Sequence, residues 1–261
     1  LFGQAAMTDW AWRIPFLSSF VLVAIGLYVR LKLTEAPIFI AAFNKSKPKA
    51  LPMMEVIVTH FKPFFLGMLI CIAGYVLFYI MIAFSQIYAK SAPTVSEAGY
   101  AMGLGFSPQI FTALLMPSAV SLAITITISG KYIDKVGRRI WLIWTTVGVA
   151  LFGLVLPYFL ENGTTLSLFW FLIIGMGLIG MGYGPLASFL PELFPTHARY
   201  SGASLTYNIA GLFGASVAAI IALPLNANYG LKGVGIYLTL NAVLSLIGLW
   251  FITETRDRQL L

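Results

Sequence analysis

Seven stretches of mostly apolar residues follow one another along the chain. They cover residues 12–31, 63–89, 107–129, 140–160, 165–190, 201–224 and 233–253. About 20 such residues are enough for a helix to cross the hydrocarbon core of a bilayer. Apart from Arg13 and Arg30, near the ends of the first stretch, none contains Asp, Glu, Lys, Arg or His. The pattern predicts an all-α integral membrane protein with seven transmembrane helices.

The composition supports the membrane assignment. The 261 residues are 59% hydrophobic and 10% charged, which excludes soluble, disordered and disulfide-rich classes of protein. Strands of a membrane barrel would be about ten residues long and would alternate polar with apolar positions. The single cysteine, Cys71, lies inside an apolar stretch, so an intramolecular disulfide and a cysteine-built metal site are excluded.

The basic residues predict the orientation. Thirteen of the 16 Lys and Arg residues fall on one side of the membrane if the C-terminus is cytoplasmic. The positive-inside rule favours that arrangement. Because the number of spans is odd, the N-terminus of this chain is then outside. We expect an upstream portion with an odd number of spans to be missing.

The longest connection, residues 32–62, divides the chain. Its prolines and lysines predict a cytoplasmic linker between helix bundles. One span precedes it, in residues 1–31, and six follow it, in residues 63–261, which end in a short cytoplasmic tail. The two sets of three following spans have opposite topology, as in transporters built from inverted repeats.

The most informative polar segment has the pattern G-x-x-x-D-x-x-G-R-R and lies between the third and fourth spans. It predicts a tight cytoplasmic turn. Gly130 would let two helix ends approach closely, and Asp134 could accept hydrogen bonds from backbone amides at a helix start. Gly137 would supply the turn, while Arg138 and Arg139 would anchor it on the cytoplasmic side.

This pattern resembles the signature loop of the major facilitator superfamily, found between its second and third helices and again between its eighth and ninth. Thr34-Glu35-Ala36-Pro37 resembles the motif after the sixth helix. The segment 191–202 resembles the loop before the eleventh, and Glu254-Thr255-Arg256 resembles the signature after the twelfth. The resemblance implies that the seven spans are helices six to twelve: the last helix of one six-helix bundle and a complete C-terminal bundle.

A narrower resemblance concerns the two ends of the first span. Trp12-Arg13-Ile14-Pro15-Phe16 and the segment 30–35 are similar to the metabolite:proton symporter family, which includes proline/betaine, α-ketoglutarate, citrate and shikimate carriers. It implies proton symport of a small polar metabolite, an organic acid or a zwitterion, by alternating access. A sugar-type or drug-type facilitator and an inactive truncated product stay open as alternatives.

The superfamily's cytoplasmic loops latch its two halves together, which by resemblance gives a set of gating residues rather than substrate ligands. These are Gly130, Asp134, Gly137, Arg138, Arg139, Glu192, Arg199, Glu254 and Arg256. The spans themselves contain no carboxylate, so a proton-binding group would lie in the missing half or at the edge of a loop.

Candidate substrate ligands come from uncharged polar residues within the spans. Tyr75, Tyr79 and Gln86 share one face of the second span at helical spacing, and polar groups that face lipid are costly. This face therefore points to a cavity or to neighbouring helices, and interhelical hydrogen bonding is an equally open interpretation. The full set of candidates is Tyr75, Tyr79, Gln86, Thr112, Tyr207 and Asn208.

Other chemistries lack the residues that they need. The G-x-G-x-x-G pattern at 175–180 lies within a span, where it predicts close helix packing rather than a dinucleotide site. The spans hold no catalytic set and no lysine with a counter-ion, so an enzyme and a retinal receptor are not expected. His60 and His197 are interpreted as solvated residues, and no metal or other cofactor is expected.

The expected partners are a small-molecule substrate, protons, the lipid bilayer and the missing N-terminal bundle, with no nucleic acid.

Overall fold

A computed structural model describes residues 6–32 and 52–255 of the protein. The chain divides into two compact units, Leu1–Lys47 and Pro48–Leu261. Within the described ranges the regular structure is helical, apart from one isolated bridge between Val95 and Ala101. With its long apolar helices, this confirms the predicted all-α integral membrane class.

The first unit contains a π-helical turn, Met7–Ala11, followed by helix α1, Arg13–Lys32. Helix α1 coincides with the first predicted span. None of its residues is buried, and large apolar side chains such as Phe16 and Phe20 are more than two thirds exposed. A helix of 20 residues is about 30 Å long, enough to cross the hydrocarbon core.

The second unit contains the remaining helices and two further π-helical turns. The helices are α2 Pro52–Thr59, α3 Phe61–Tyr79, α4 Ser85–Lys90, α5 Pro108–Val136, α6 Arg138–Glu161, α7 Thr165–Glu192, α8 Arg199–Gly211 and α9 Val217–Phe251. The π-helical turn Ile80–Phe84 joins α3 to α4, and Leu212–Ser216 joins α8 to α9.

The described residues contain six continuous helical runs that are long and apolar enough to cross a membrane, where seven spans are predicted. The difference arises in the run Arg199–Phe251, which has 53 residues. A straight helix of that length would measure about 80 Å, more than twice the thickness of the hydrocarbon core. Gly230 interrupts it with φ 69° and ψ −171°, between the two predicted spans. The run therefore supplies two membrane crossings.

Close helix contacts build the bundle. Helix α5 packs along α7, α6 packs against α7 and α9, and α3 packs against α8 and α9. A Cβ atom on Gly180 of α7 would lie 2.6 Å from the carbonyl oxygen of Leu122 in α5, which only glycine avoids. The glycine pattern at 175–180 is thus a helix-packing surface, as predicted.

The bundle has two distinct ends. At one, which we call the charged end, the start of α3, the α5–α6 junction, the end of α7, the start of α8 and the end of α9 lie close together. At the opposite end, the segment 91–107 folds against α9: Ser96 Oγ donates to the carbonyl of Ala227 at 2.7 Å, and Asn226 donates to that of Ala101 at 3.0 Å.

Candidate functional site

A cavity of about 270 Å³ lies between α3, α5, α6, α7 and α8. Most of its lining is apolar, and its side-chain polar groups are mainly hydroxyls. Thr145 and Thr146 contribute two of these, but both donate to main-chain carbonyls of their own helix. The other three belong to Tyr75, Tyr183 and Tyr207, which come from three different helices.

Two of the three tyrosines are in ring contact. The rings of Tyr75 and Tyr207 lie 4.9 Å apart between centroids and are tilted by 49°. Tyr183 lines the same cavity from α7. Gly214, in the π-helical turn that follows α8, lets that turn pack closely against α3. A Cβ atom at Gly214 would lie 2.6 Å from the Cβ of Tyr75.

The chemistry of this cavity is neutral. No Asp, Glu, Lys, Arg or His occurs among the described residues that line it. Tyrosine hydroxyls can donate and accept hydrogen bonds, and aromatic faces attract cations. The tyrosines in this otherwise apolar wall can therefore hydrogen-bond a small molecule, or contact a cationic group, without a side chain changing its charge.

Two of the six predicted substrate ligands, Tyr75 and Tyr207, line this cavity, and the other four do not. Tyr79 donates to a carbonyl of α9 at 3.4 Å. The π-helical turn Ile80–Phe84 separates Tyr79 from Gln86, so the α-helical spacing behind the predicted stripe does not hold across it, and Gln86 is exposed. Thr112 and Asn208 are exposed and bond to carbonyls of their own helices. A ligand role for these four stays a prediction.

Tyr183 also lines the cavity, although it is not among the predicted ligands. It stands between Gly182 and Gly184 in a span dominated by glycine and apolar residues. A tyrosine hydroxyl at this depth needs a partner, because water is absent from hydrocarbon. This requirement could have indicated Tyr183 from the sequence, but the neighbouring glycines made helix packing the main interpretation of the segment.

At the charged end, Gly137 alone separates α5 from α6. Its backbone has φ 101° and ψ 140°, a conformation that is essentially restricted to glycine. A Cβ atom there would also lie 3.0 Å from Glu254 Oε2. The predicted turn over residues 130–139 is therefore wrong in its extent, because helix α5 continues to Val136.

Two roles predicted within this segment are corrected. Gly130 is exposed inside α5, and no described atom outside its own helix backbone would lie within 4 Å of a Cβ there, so it allows no close helix approach. Asp134 does not cap α6. Glu254 does so, accepting from the backbone N–H groups of Arg138 and Arg139, each at 3.0 Å. Asp134 instead lies 3.5 Å from the Arg138 guanidinium, and at 73% exposure this ion pair contributes little.

The two arginines connect α6 to other helix ends. Arg138 forms an ion pair with Glu192 at the end of α7, and both side chains are largely buried. Arg139 donates to the carbonyls of Leu249 and Trp250 near the end of α9, at 2.8 and 3.1 Å. A cation placed on these last carbonyls also interacts favourably with the dipole of α9.

The remaining predicted gating residues lie outside this network. Arg199, at the start of α8, donates to the hydroxyl of Thr196 at 3.4 Å. Arg256 and the segment 34–37 fall outside the described residues. The structure thus brings together four of the predicted gating residues in one network, with Gly137 at its centre and Asp134 at its edge. These four are Arg138, Arg139, Glu192 and Glu254.

Comparison with known proteins agrees with this architecture. The sequence profile of the Major Facilitator Superfamily matches residues 1–219. The chain belongs to the major facilitator superfamily. The predicted resemblance is thereby confirmed, and the chain is a multi-pass membrane protein of that superfamily. No solved structure matches the chain.

Several curated proteins are similar over nearly the whole chain. One, from Haemophilus influenzae and named for metabolite transport, is 89% identical over 260 residues. The inner membrane metabolite transport protein YhjE of Escherichia coli is 39% identical over 97% of the chain, and the proline/betaine transporter of that organism is 27% identical over 99%. The chain spans 58%, 56% and 51% of the lengths of these three relatives.

Proposed function

We propose that this chain is the C-terminal portion of a secondary transporter. The whole protein carries a small polar metabolite, an organic acid or a zwitterion, across the cytoplasmic membrane by alternating access, in symport with protons. The observation that carries the proposal is a cavity inside a superfamily bundle that is lined by Tyr75, Tyr183 and Tyr207 from three helices and, among the described residues, by no charged side chain. The metabolite-transport names of the relatives support the same class of substrate.

The proposed arrangement places α1 as the last helix of an N-terminal bundle and the second unit as the C-terminal bundle. Residues 32–62 are proposed to connect the two bundles, and the described part of this segment, with α2, belongs to the second unit. Relatives that are almost twice as long support this assignment. The charged end is proposed to be cytoplasmic, because Lys131, Lys135, Arg138 and Arg139 are concentrated there. The N-terminus of the chain then lies outside.

In this mechanism the substrate bridges the tyrosine hydroxyls of the C-terminal bundle and groups of the N-terminal bundle. The hydroxyls supply hydrogen bonds, and the aromatic faces accept a cationic group of a zwitterion. Because this cavity wall has no carboxylate, the proton is bound in the N-terminal bundle or at the edge of a loop. The charged end holds the ends of α6, α7 and α9 together while the bundles move as rigid bodies.

The test is substrate uptake by cells that express the whole transporter, with Tyr207→Phe in this chain. Removing one hydrogen bond to substrate is expected to reduce transport efficiency roughly two- to tenfold. Tyr229→Phe is the matched control, because Tyr229 is 65% exposed and does not line the cavity. Equal uptake by the Tyr207 variant, the control and the wild type would contradict the proposal that this cavity binds the substrate.

A further inference from the structure

Three potential metal ligands meet at the charged end, although they are far apart in sequence. Glu55 lies in α2, His60 lies between α2 and α3, and His197 lies between α7 and α8. One ligand atom from each falls within 4.8 Å of the other two. The sequence alone predicts two solvated histidines, whereas the structure places both beside the same carboxylate. The sequence has only two histidines, and both are here.

The geometry is close to that of a metal site. His197 Nε2 and Glu55 Oε1 are 3.3 Å apart, and the rings of His60 and His197 have centroids 6.4 Å apart. Zinc–nitrogen and zinc–oxygen bonds of about 2.0–2.2 Å in a tetrahedral site place neighbouring ligand atoms about 3.5 Å apart. One pair therefore already has the required separation, and modest side-chain rotation brings His60 into range.

Buried packing holds the ligand-bearing segments in place. Val56, the residue after Glu55, is fully buried in the same apolar cluster as Phe194 and Ala198, which flank the turn that carries His197. The Glu55 side chain is 8% exposed, whereas that of His197 is 40% exposed. The Glu55 carboxylate is thus held within the protein, whereas His197 is accessible to ions and water.

We propose that Glu55, His60 and His197 form a binding site for a divalent transition metal, with Zn²⁺ as the best-fitting ion. Two imidazoles and one carboxylate suit zinc, cobalt or nickel, whereas Mg²⁺ and Ca²⁺ prefer sites made of oxygen ligands. Three protein ligands leave at least one coordination position for water. A bound ion would cross-link α2 to the connection between α7 and α8.

The experiment uses the protein purified in detergent with an affinity tag that contains no histidine. Co²⁺ is titrated while visible absorption is recorded, and Zn²⁺ is then added as the competitor. We expect one Co²⁺ per chain in a low-symmetry site, complete displacement by Zn²⁺, and Zn²⁺-dependent protection against thermal unfolding. His60→Gln and His197→Gln are each expected to weaken binding at least about tenfold, since even outer-shell changes cost 10–100-fold at metal sites.

Glu97→Gln is the control, because Glu97 is an exposed carboxylate remote from the site. The melting temperatures of all variants without metal show whether each variant is folded. Undiminished Co²⁺ binding by the folded double variant His60→Gln/His197→Gln would overturn the proposal. Failure of the wild type to bind Co²⁺ or Zn²⁺ would also overturn it. Neither outcome depends on transport activity.

Discussion

Gly137 shows how a single residue sets the geometry of the charged end. Two long helices, α5 and α6, meet at this one residue, and its positive φ turns the chain from one to the other. The absence of a side chain also lets the Glu254 carboxylate reach the first backbone amides of α6. Backbone conformation and helix capping therefore depend on the same position.

Gly137→Ala is expected to destabilise the protein by about 1–3 kcal/mol, because it adds backbone strain and crowds Glu254. Gly130→Ala is the matched control. Gly130 is helical and faces open space, so alanine there is expected to be neutral or to stabilise by up to about 1 kcal/mol. Thermal unfolding in detergent measures both variants. Equal melting temperatures for the two would contradict the role given to Gly137.

Individual residues differ in how far the sequence could predict their roles. Tyr75 and Tyr207 are predictable, because polar side chains in apolar spans need partners. From the sequence, Asp134 was predicted to cap α6, because it is the carboxylate nearest to the start of that helix along the chain. Glu254 takes that role across 116 residues of separation, which only the packed structure brings together. The proximity of His60 to His197 could not be predicted either, because the two residues are far apart in sequence.

At the scale of helices, the π-helical turns determine which side chains share a face. The turn Ile80–Phe84 changes the helical phase within the run Phe61–Lys90, so positions at α-helical spacing before and after it diverge. The span limits agree with the predictions to within several residues, because bilayer thickness fixes the length of apolar sequence. The hydrophobic pattern does not show where a π-helical turn interrupts a span, so it does not predict which side chains share a face beyond that turn.

The packing of α5 on α7 gives a prediction at this scale. Gly180→Ala is expected to force the two helices apart at a cost of about 1–3 kcal/mol, because its Cβ atom would overlap the Thr125 hydroxyl and the Leu122 carbonyl. Gly182→Ala, on the same helix, is the control, since its Cβ atom would meet Thr145 at an ordinary 3.7 Å. Thermal unfolding that ranks Gly182→Ala as the more damaging change would contradict this interface.

At the scale of the whole molecule, the second unit is a tightly packed helix bundle, which suits the proposed role as one half of a transporter. Buried apolar clusters fill it, and the charged end ties α6 to the ends of α7 and α9. Its cavity is lined by Tyr75, Tyr183 and Tyr207 and, among the described residues, by no charged side chain. The proposed function needs a second bundle to complete the cavity and to supply the proton-binding group.

Gradient-driven uptake into proteoliposomes tests the central claim most directly. The full-length protein and this chain alone are reconstituted separately, and uptake of a panel of labelled small organic acids and zwitterions is measured under an inward proton gradient, a sodium gradient or no gradient. The account predicts accumulation only by the full-length protein and only under the proton gradient, abolished by a protonophore. Accumulation by this chain alone, or uptake by the full-length protein that follows the sodium gradient instead, would contradict it.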